Sequence, residues 1–211
     1  MRQLKVVGKG YISAEPDLVT LTFNVESKAK EYEKSIQDLN QRADDLRESM
    51  ITAGLDKAQL KTTAFSVQVE TQYVDGQNIF TGYIASHQMQ IELAMDKLLM
   101  NKVFKHIAQS HSGAEVRLSF SVKDKDALRK RVLVQAVQTA QDNAATLADA
   151  AGVKLGELIE VVYGVEEARI YDRQVNVLAQ SSVRMAKYEV DIEPSDVTAE
   201  DNVTLIYEIT D

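Results

Sequence analysis

Three histidines are the side chains whose type could support acid–base catalysis or metal binding. His106 and His111 lie five residues apart on a predicted helix, about 140° apart around its axis, so they cannot chelate one metal ion without further ligands. His87 falls on the apolar face of a predicted strand, where a buried structural histidine is favoured over a catalytic one. The alternative is a hydrolase or small-molecule-binding enzyme with its site near His87 and the Asp75-Gly76 turn. We expect no enzyme, and no catalytic residue, metal site or cofactor.

Gly8 and Gly10 are the next candidates, because two glycines so close together resemble a phosphate-binding loop. Such a loop needs a helix to begin there, so that backbone N–H groups face the phosphate. The residues after Gly10 instead alternate like a strand, and Pro16-Asp17 predicts a turn. We therefore expect both glycines on the core face of a strand, packed against a helix that carries a stripe of small residues. That stripe comprises Ala136, Ala140, Ala144 and Ala148.

The composition excludes several classes of function. The 211 residues carry a net charge of −8 and no basic stripe, so we expect no nucleic-acid partner. Cysteine is absent, which removes disulfides and thiolate chemistry. No apolar run reaches the roughly 18 residues of a transmembrane segment. No signal segment precedes the first predicted strand, which predicts a cytoplasmic protein, or a periplasmic or envelope protein if a signal has been removed.

The elements that must position these residues follow from hydrophobic periodicity. Alternation predicts strands at about 4–14, 19–26, 65–69, 82–95, 114–122, 158–163, 188–192 and 203–209. Helical periodicity predicts two long helices, at about 28–53 and 124–151, and a shorter one from 97 to before Gly113. The prediction is an elongated α+β protein with mainly antiparallel sheets and the helices packed on them. We expect a single domain over 1–211, or two intimate lobes at about 1–95 and 96–211.

The first long helix has apolar residues at heptad spacing. They are Ala29, Tyr32, Ile36, Leu39, Ala43, Leu46 and Met50. This spacing is compatible with a coiled coil with a partner helix. We favour a helix that lies on its own sheet, because three heptads between strands are short for a coiled coil.

Residues 165–187 have no clear period, and a structureless stretch of this length is unusual in a compact domain. We expect a mobile arm or a hairpin. Its isolated apolar residues, Val175, Val177 and Leu178, are typical of an arm that docks on a neighbouring subunit. The segment therefore predicts a homo-oligomer; a further protein partner is unknown.

Taken in order, the motifs resemble those of the SIMPL-domain family. They are Gly8-Lys9-Gly10, Pro16-Asp17, Ala53-Gly54, Gly82-Tyr83, the alanine-rich helix ending in 152-GVKLG-156, and 203-VTLIYEI-209. The family includes a bacterial periplasmic immunogenic protein group, an oxidative-stress-defence protein and a mammalian adaptor of a kinase pathway. The resemblance covers nearly the whole chain except the arm.

The resemblance implies a non-enzymatic protein linked to stress or envelope physiology, and it supplies no catalytic residues. Some members assemble into large rings, which agrees with the homo-oligomer expected from the arm. We therefore expect a self-assembling scaffold or binding protein. An adaptor that binds a signalling partner is the alternative.

Overall fold

The computed structural model describes residues 2–164, 169–177 and 193–211. The strands are β1 (Arg2–Ala14), β2 (Leu18–Ala29), β3 (Lys61–Val74), β4 (Gln77–Ala94), β5 (Glu115–Ser121), β6 (Lys154–Val162), β7 (Arg169–Tyr171), β8 (Arg173–Val177) and β9 (Val197–Thr210). The helices are α1 (Tyr32–Thr52), α2 (Lys97–Gln109) and α3 (Lys125–Ala151), with a short 3₁₀ turn at Lys57–Gln59. This architecture confirms the predicted α+β class with mainly antiparallel sheets.

The chain divides into two compact units. One comprises Met1–Pro16, Ser121–Arg173 and Ser195–Asp211, and the other comprises Asp17–Phe120 and Gln174–Pro194. These segments interleave along the chain, whereas the expected lobes divide near residue 95. The domain division itself stays a prediction.

The first unit is a sheet with α3 packed on one face. Its strand order is β1-β9-β6, and β7 also pairs with β9, all antiparallel. Asp124 caps α3 by accepting a hydrogen bond from the Ala127 N–H, and Gly152 ends the helix in the left-handed conformation at φ 69°. The buried face of α3 meets Val6 of β1 and the apolar residues of β9.

The second unit is a five-stranded sheet in the order β3-β4-β2-β5-β8. The alternating residues of β2 are completely buried on one face, from Val19 to Val25. Helices α1 and α2 contribute Leu46, Met50 and Phe104 to the same core. This unit holds the largest hydrophobic cluster that the described residues form.

Helix α1 lies on its own sheet, as we favoured, because Leu39, Ala43, Leu46 and Met50 are all buried in that core. Its predicted start at Lys28 is wrong. Strand β2 continues to Ala29, where it pairs with Tyr83, so the helix begins at Tyr32. Strand pairing overrides the helical spacing there, and Tyr32 is half-exposed rather than part of a buried seam.

Several predicted strands are longer than expected: β3, β4, β6 and β9 all extend beyond their apolar alternation. Part of the predicted arm forms β7 and β8. The backbone of Val175 and Val177 belongs to β8. Their side chains, Leu178 and the predicted strand at 188–192 lie outside the described residues.

Candidate functional site

Strands β3 and β4 form a long hairpin that extends beyond the end of the neighbouring strand β2. They join at Asp75-Gly76, whose φ angles of 49° and 84° suit a tight two-residue turn. Strand β4 pairs with β2 from Ala94 back to Tyr83, whereas β3 pairs with β4 as far as Gln77. Residues 77–82 therefore pair with β3 alone, and the end of the hairpin is a two-stranded ribbon.

One face of this hairpin is apolar and exposed. Residues paired across an antiparallel ladder share a face, and the register pairs Val69 with Tyr83 and Thr71 with Phe80. Strand alternation adds Phe65 and Tyr73 to the same face. Tyr73 is 72% exposed. We name Phe65, Val69, Tyr73, Phe80 and Tyr83 the hairpin face; all but the partly buried Tyr83 are at least half-exposed.

Two rings of the hairpin face, Phe80 and Tyr83, make edge-to-face contacts. The Phe80 and Tyr83 ring centroids are 5.3 Å apart, and the Tyr83 and Tyr32 centroids are 5.5 Å apart. Edge-to-face packing at such distances is favourable. Aromatic packing therefore stabilises the positions of these two rings.

The hairpin face is also nearly free of charge. Between Thr62 and Val74 the only charged residue is Glu70, which forms an ion pair of 2.6 Å with Lys28. The hydrogen bond that Lys28 donates to Glu70 raises the pKa of Lys28 above its ordinary value, and the negative charge of Glu70 raises it further. A partner that covers this surface need not be charged.

Strand β6 is a second exposed apolar element. All nine of its residues are exposed. Its apolar members and the tyrosine that follows are Leu155, Leu158, Ile159, Val161, Val162 and Tyr163. The alternation in the sequence does not distinguish a strand face that meets a helix from one that meets solvent, so the sequence analysis missed both surfaces.

The two glycines lie in β1 directly against α3. A Cβ built on Gly8 would overlap the carbonyl oxygen of Ala136 and lie 2.6 Å from the Ala140 Cβ. A Cβ on Gly10 would overlap the Val132 carbonyl oxygen and lie 2.9 Å from the Ala136 nitrogen. The four alanines of the predicted stripe, including Ala144 and Ala148, are buried. This contact is a packing arrangement, and no functional side chain points into it.

His87 is buried in the second unit, 7% exposed. Its Nε2 lies 2.8 Å from the Thr62 Oγ1, and its Nδ1 has no hydrogen-bond partner among the described residues. Burial lowers its pKa below the ordinary 6.5, and the charge of Arg47 lowers it further. The Asp75-Gly76 turn lies at the other end of the hairpin, about 30 Å along the strand. The structure therefore does not bring His87 and that turn together.

His106 and His111 line one polar cleft of about 260 Å³ with α1 residues. Its other lining residues are Asp45, Glu48, Ser49, Thr52, Gln109 and Ser110. No group of three potential ligands with metal-binding geometry occurs among the described residues. The predicted placement of both histidines on one helix is wrong, because α2 ends at Gln109 and His111 lies beyond it.

The chain is similar to proteins of one family. Residues 4–207 match the model of a family described as SIMPL, protein of unknown function (DUF541). Two relatives are the 26 kDa periplasmic immunogenic proteins of Brucella melitensis biotype 1 and Brucella abortus, each 30% identical over 168 residues. The alignments cover 75% of this chain, and the chain spans only 65% of those relatives.

A more distant relative is the uncharacterized protein YggE of Edwardsiella ictaluri, 26% identical over 78% of this chain and 71% of that protein. A solved structure, the de novo designed protein Foldit4, aligns with 51% of this chain and 99% of its own at 13% identity and a TM-score of 0.21. A likeness that weak carries no argument. Within the described ranges, no helix has the length and apolar composition to cross a membrane.

Proposed function

The chain belongs to the SIMPL family, as its motifs predict, and on this premise we propose that it is a non-enzymatic, self-assembling scaffold or binding protein. The family description assigns no activity, so the function is argued from the molecular surface. The observation that carries the proposal is the hairpin face: four aromatic side chains and Val69, with no charged residue among them, on one face of the β3–β4 hairpin.

The size of this surface supports a protein partner. Aromatic side chains present about 150–250 Å² each, so the half-exposed hairpin face offers roughly 500 Å². That lies within the range of the largest apolar patch on a typical monomer, about 300–600 Å², which is often functional, and it supplies more than half of the roughly 800 Å² per partner in a stable interface. Strand β6 adds further exposed apolar area on the other unit.

The proposal places the protein in the bacterial cell envelope, because the two Brucella relatives are named periplasmic proteins. This is the alternative location of the sequence analysis, and the relatives give no support to the cytoplasmic one. A role in stress tolerance belongs to the same proposal and rests on the family resemblance.

Sedimentation velocity and light scattering of the full chain test the proposal over a wide concentration range. We expect a species heavier than the 23.5 kDa monomer. The double variant Tyr73→Ser/Phe80→Ser removes two rings of the hairpin face and should shift the population towards monomer. Leu98→Ser is the matched control, because Leu98 is 76% exposed on α2 and belongs to neither exposed strand. A chain without residues 178–186 tests the remainder of the predicted arm in the same way and keeps β7 and β8.

The outcomes separate the candidate functions. A wild-type chain that stays monomeric at every concentration contradicts self-assembly. If that monomer captures one cellular protein through the hairpin face, and Tyr73→Ser/Phe80→Ser abolishes the capture, the adaptor is the better description. Equal loss of assembly in the Leu98→Ser control would show that the hairpin face has no special part in it.

A further inference from the structure

Strand β3 is an open sheet edge. It stands at the end of the order β3-β4-β2-β5-β8, so among the described residues one side of its backbone has no strand neighbour. An open edge presents a row of N–H and C=O groups to which another strand can pair. The strand has 14 residues and no proline, and its one charge between Thr62 and Val74, Glu70, is already paired with Lys28.

Two other edge strands, β1 and β6, are protected in ways that β3 is not. On β1, the Tyr11 N–H donates to the Gln135 Oε1 at 2.7 Å, and the Val7 carbonyl accepts from the Asn143 Nδ2 at 3.3 Å. Side chains of α3 thus occupy backbone groups at that edge. Strand β6 carries two glutamates, Glu157 and Glu160, within its nine residues. Charged edges resist pairing.

We infer that β3 pairs antiparallel with β3 of a second copy of this chain, about a two-fold axis at Val67; the inference rests on the self-assembly proposed above. Register shifts against β4 fall at Thr62/Ala64 and Glu70/Thr71. They leave a regular segment from 64 to 70, whose centre is Val67. Pairing about that centre sets Phe65 of each copy opposite Val69 of the other.

The charge distribution favours a second copy as the occupant. The chain carries −8 overall, so two copies repel over most of their surface, whereas the only charged residue in the segment from 64 to 70 is Glu70, which is paired with Lys28 and would face the neutral Ala64. A two-fold axis needs only one self-complementary patch. Each of the two Phe65–Val69 pairs places an aromatic side chain opposite a β-branched one, which is a favourable cross-strand combination. Phosphate-rich surfaces, such as nucleic acids and anionic lipids, are disfavoured by the same net charge.

Cysteine cross-linking of the full-length chain tests the register, because the natural sequence has no cysteine to interfere. Val67→Cys places two thiols at the axis and should give a disulfide-linked dimer under mild oxidation on a non-reducing gel. Phe65→Cys and Val69→Cys should not cross-link alone, since each is offset from its own copy by about 13 Å, beyond the roughly 7 Å that a disulfide spans. Their equimolar mixture should cross-link.

Val161→Cys in β6 is the control for random collision, because Val161 is half-exposed and lies in the other unit. Assembly of the wild-type chain without cross-linking of Val67→Cys above this control overturns the β3 pairing and leaves self-assembly standing. A wild-type chain that is monomeric by sedimentation overturns both. Cross-linking of Phe65→Cys alone as strongly as the mixture overturns the register. If Val67→Cys does not fold, the mixture of Phe65→Cys and Val69→Cys tests the pairing instead, because Phe65 and Val69 are both exposed.

Discussion

Replacing Gly8 with alanine tests whether the close contact between β1 and α3 stabilises the protein. The added Cβ would lie 2.6 Å from the Ala140 Cβ, about 1 Å inside the ordinary separation of carbon atoms. It would also overlap the Ala136 carbonyl oxygen, which belongs to the helix backbone and cannot rotate away. Strand and helix must therefore separate, which weakens the packing along the whole alanine stripe.

We expect Gly8→Ala to lower the free energy of unfolding by about 1–3 kcal/mol, the usual cost of overpacking. Glycine to alanine in an unhindered strand is normally stabilising by roughly 0.5–1 kcal/mol, so the sign of the change is itself informative. For a chain of this length, each kcal/mol corresponds to a melting-temperature change of about 2–4 °C. Gly8→Val should cost more.

Urea denaturation followed by circular dichroism measures the change, with Gly156→Ala as the control. A Cβ on Gly156 would lie 3.0 Å from the Glu208 carbonyl oxygen, a contact that a small shift relieves. The double variant Gly8→Ala/Ala140→Gly should recover only part of the loss, because the Ala136 carbonyl overlap persists and glycine weakens the helix by about 1 kcal/mol. An unchanged midpoint for Gly8→Ala, or a change no larger than that of Gly156→Ala, would refute the reasoning.

Three further predictions follow from single contacts. Burial lowers the folded-state pKa of His87, so the unfolded chain binds a proton at this residue more readily than the folded chain does. The free energy of unfolding should therefore be highest above about pH 6.5 and fall as the pH drops below it. In urea titrations between pH 7 and 5, His87→Phe should flatten this dependence. Asp124→Ala removes the 2.8 Å hydrogen bond from the Ala127 N–H that caps α3, and it should lower the free energy of unfolding by about 1 kcal/mol in the same assay. Asp126→Ala is the comparison, because Asp126 is an exposed residue in the first turn of the same helix. Tyr163→Phe removes the 2.8 Å hydrogen bond to the buried Asp201 and should cost roughly 0.5–1.5 kcal/mol by thermal melting; a melting temperature equal to the wild type would contradict the contact.

The sequence was informative at positions where a residue type has a single common role in local backbone structure. Asp96 and Asp124 begin helices by accepting hydrogen bonds from backbone N–H groups, and Gly152 ends α3 with a positive φ that other residues avoid. Asp75-Gly76 forms the predicted turn. These outcomes depend on the backbone within a few residues, so the amino acids at those positions are enough to predict them.

Boundaries between elements were less predictable. The sequence has helical spacing of apolar residues from Ala29 onwards. In the structure, however, β2 extends to Ala29, because its residues pair with β4. A ladder of cross-strand hydrogen bonds outweighs a helical preference of a few tenths of a kcal/mol per residue. Only the position of β4, more than fifty residues later in the chain, decides this.

The candidate site depended on tertiary structure altogether. Phe65, Val67 and Val69 alternate in the sequence just as Val19, Leu21 and Phe23 do, and both sets predict a strand with one apolar face. Helices α1 and α2 bury the second set, whereas the first lies on the edge strand β3, where Phe65 and Val69 are half-exposed. The sequence by itself determined the family, the fold class and the turn at Asp75-Gly76, because these need only motifs and local pattern. Which apolar face stays open was decided by the packing of elements distant in the chain, since exposure depends on what lies opposite a strand and not on the strand itself.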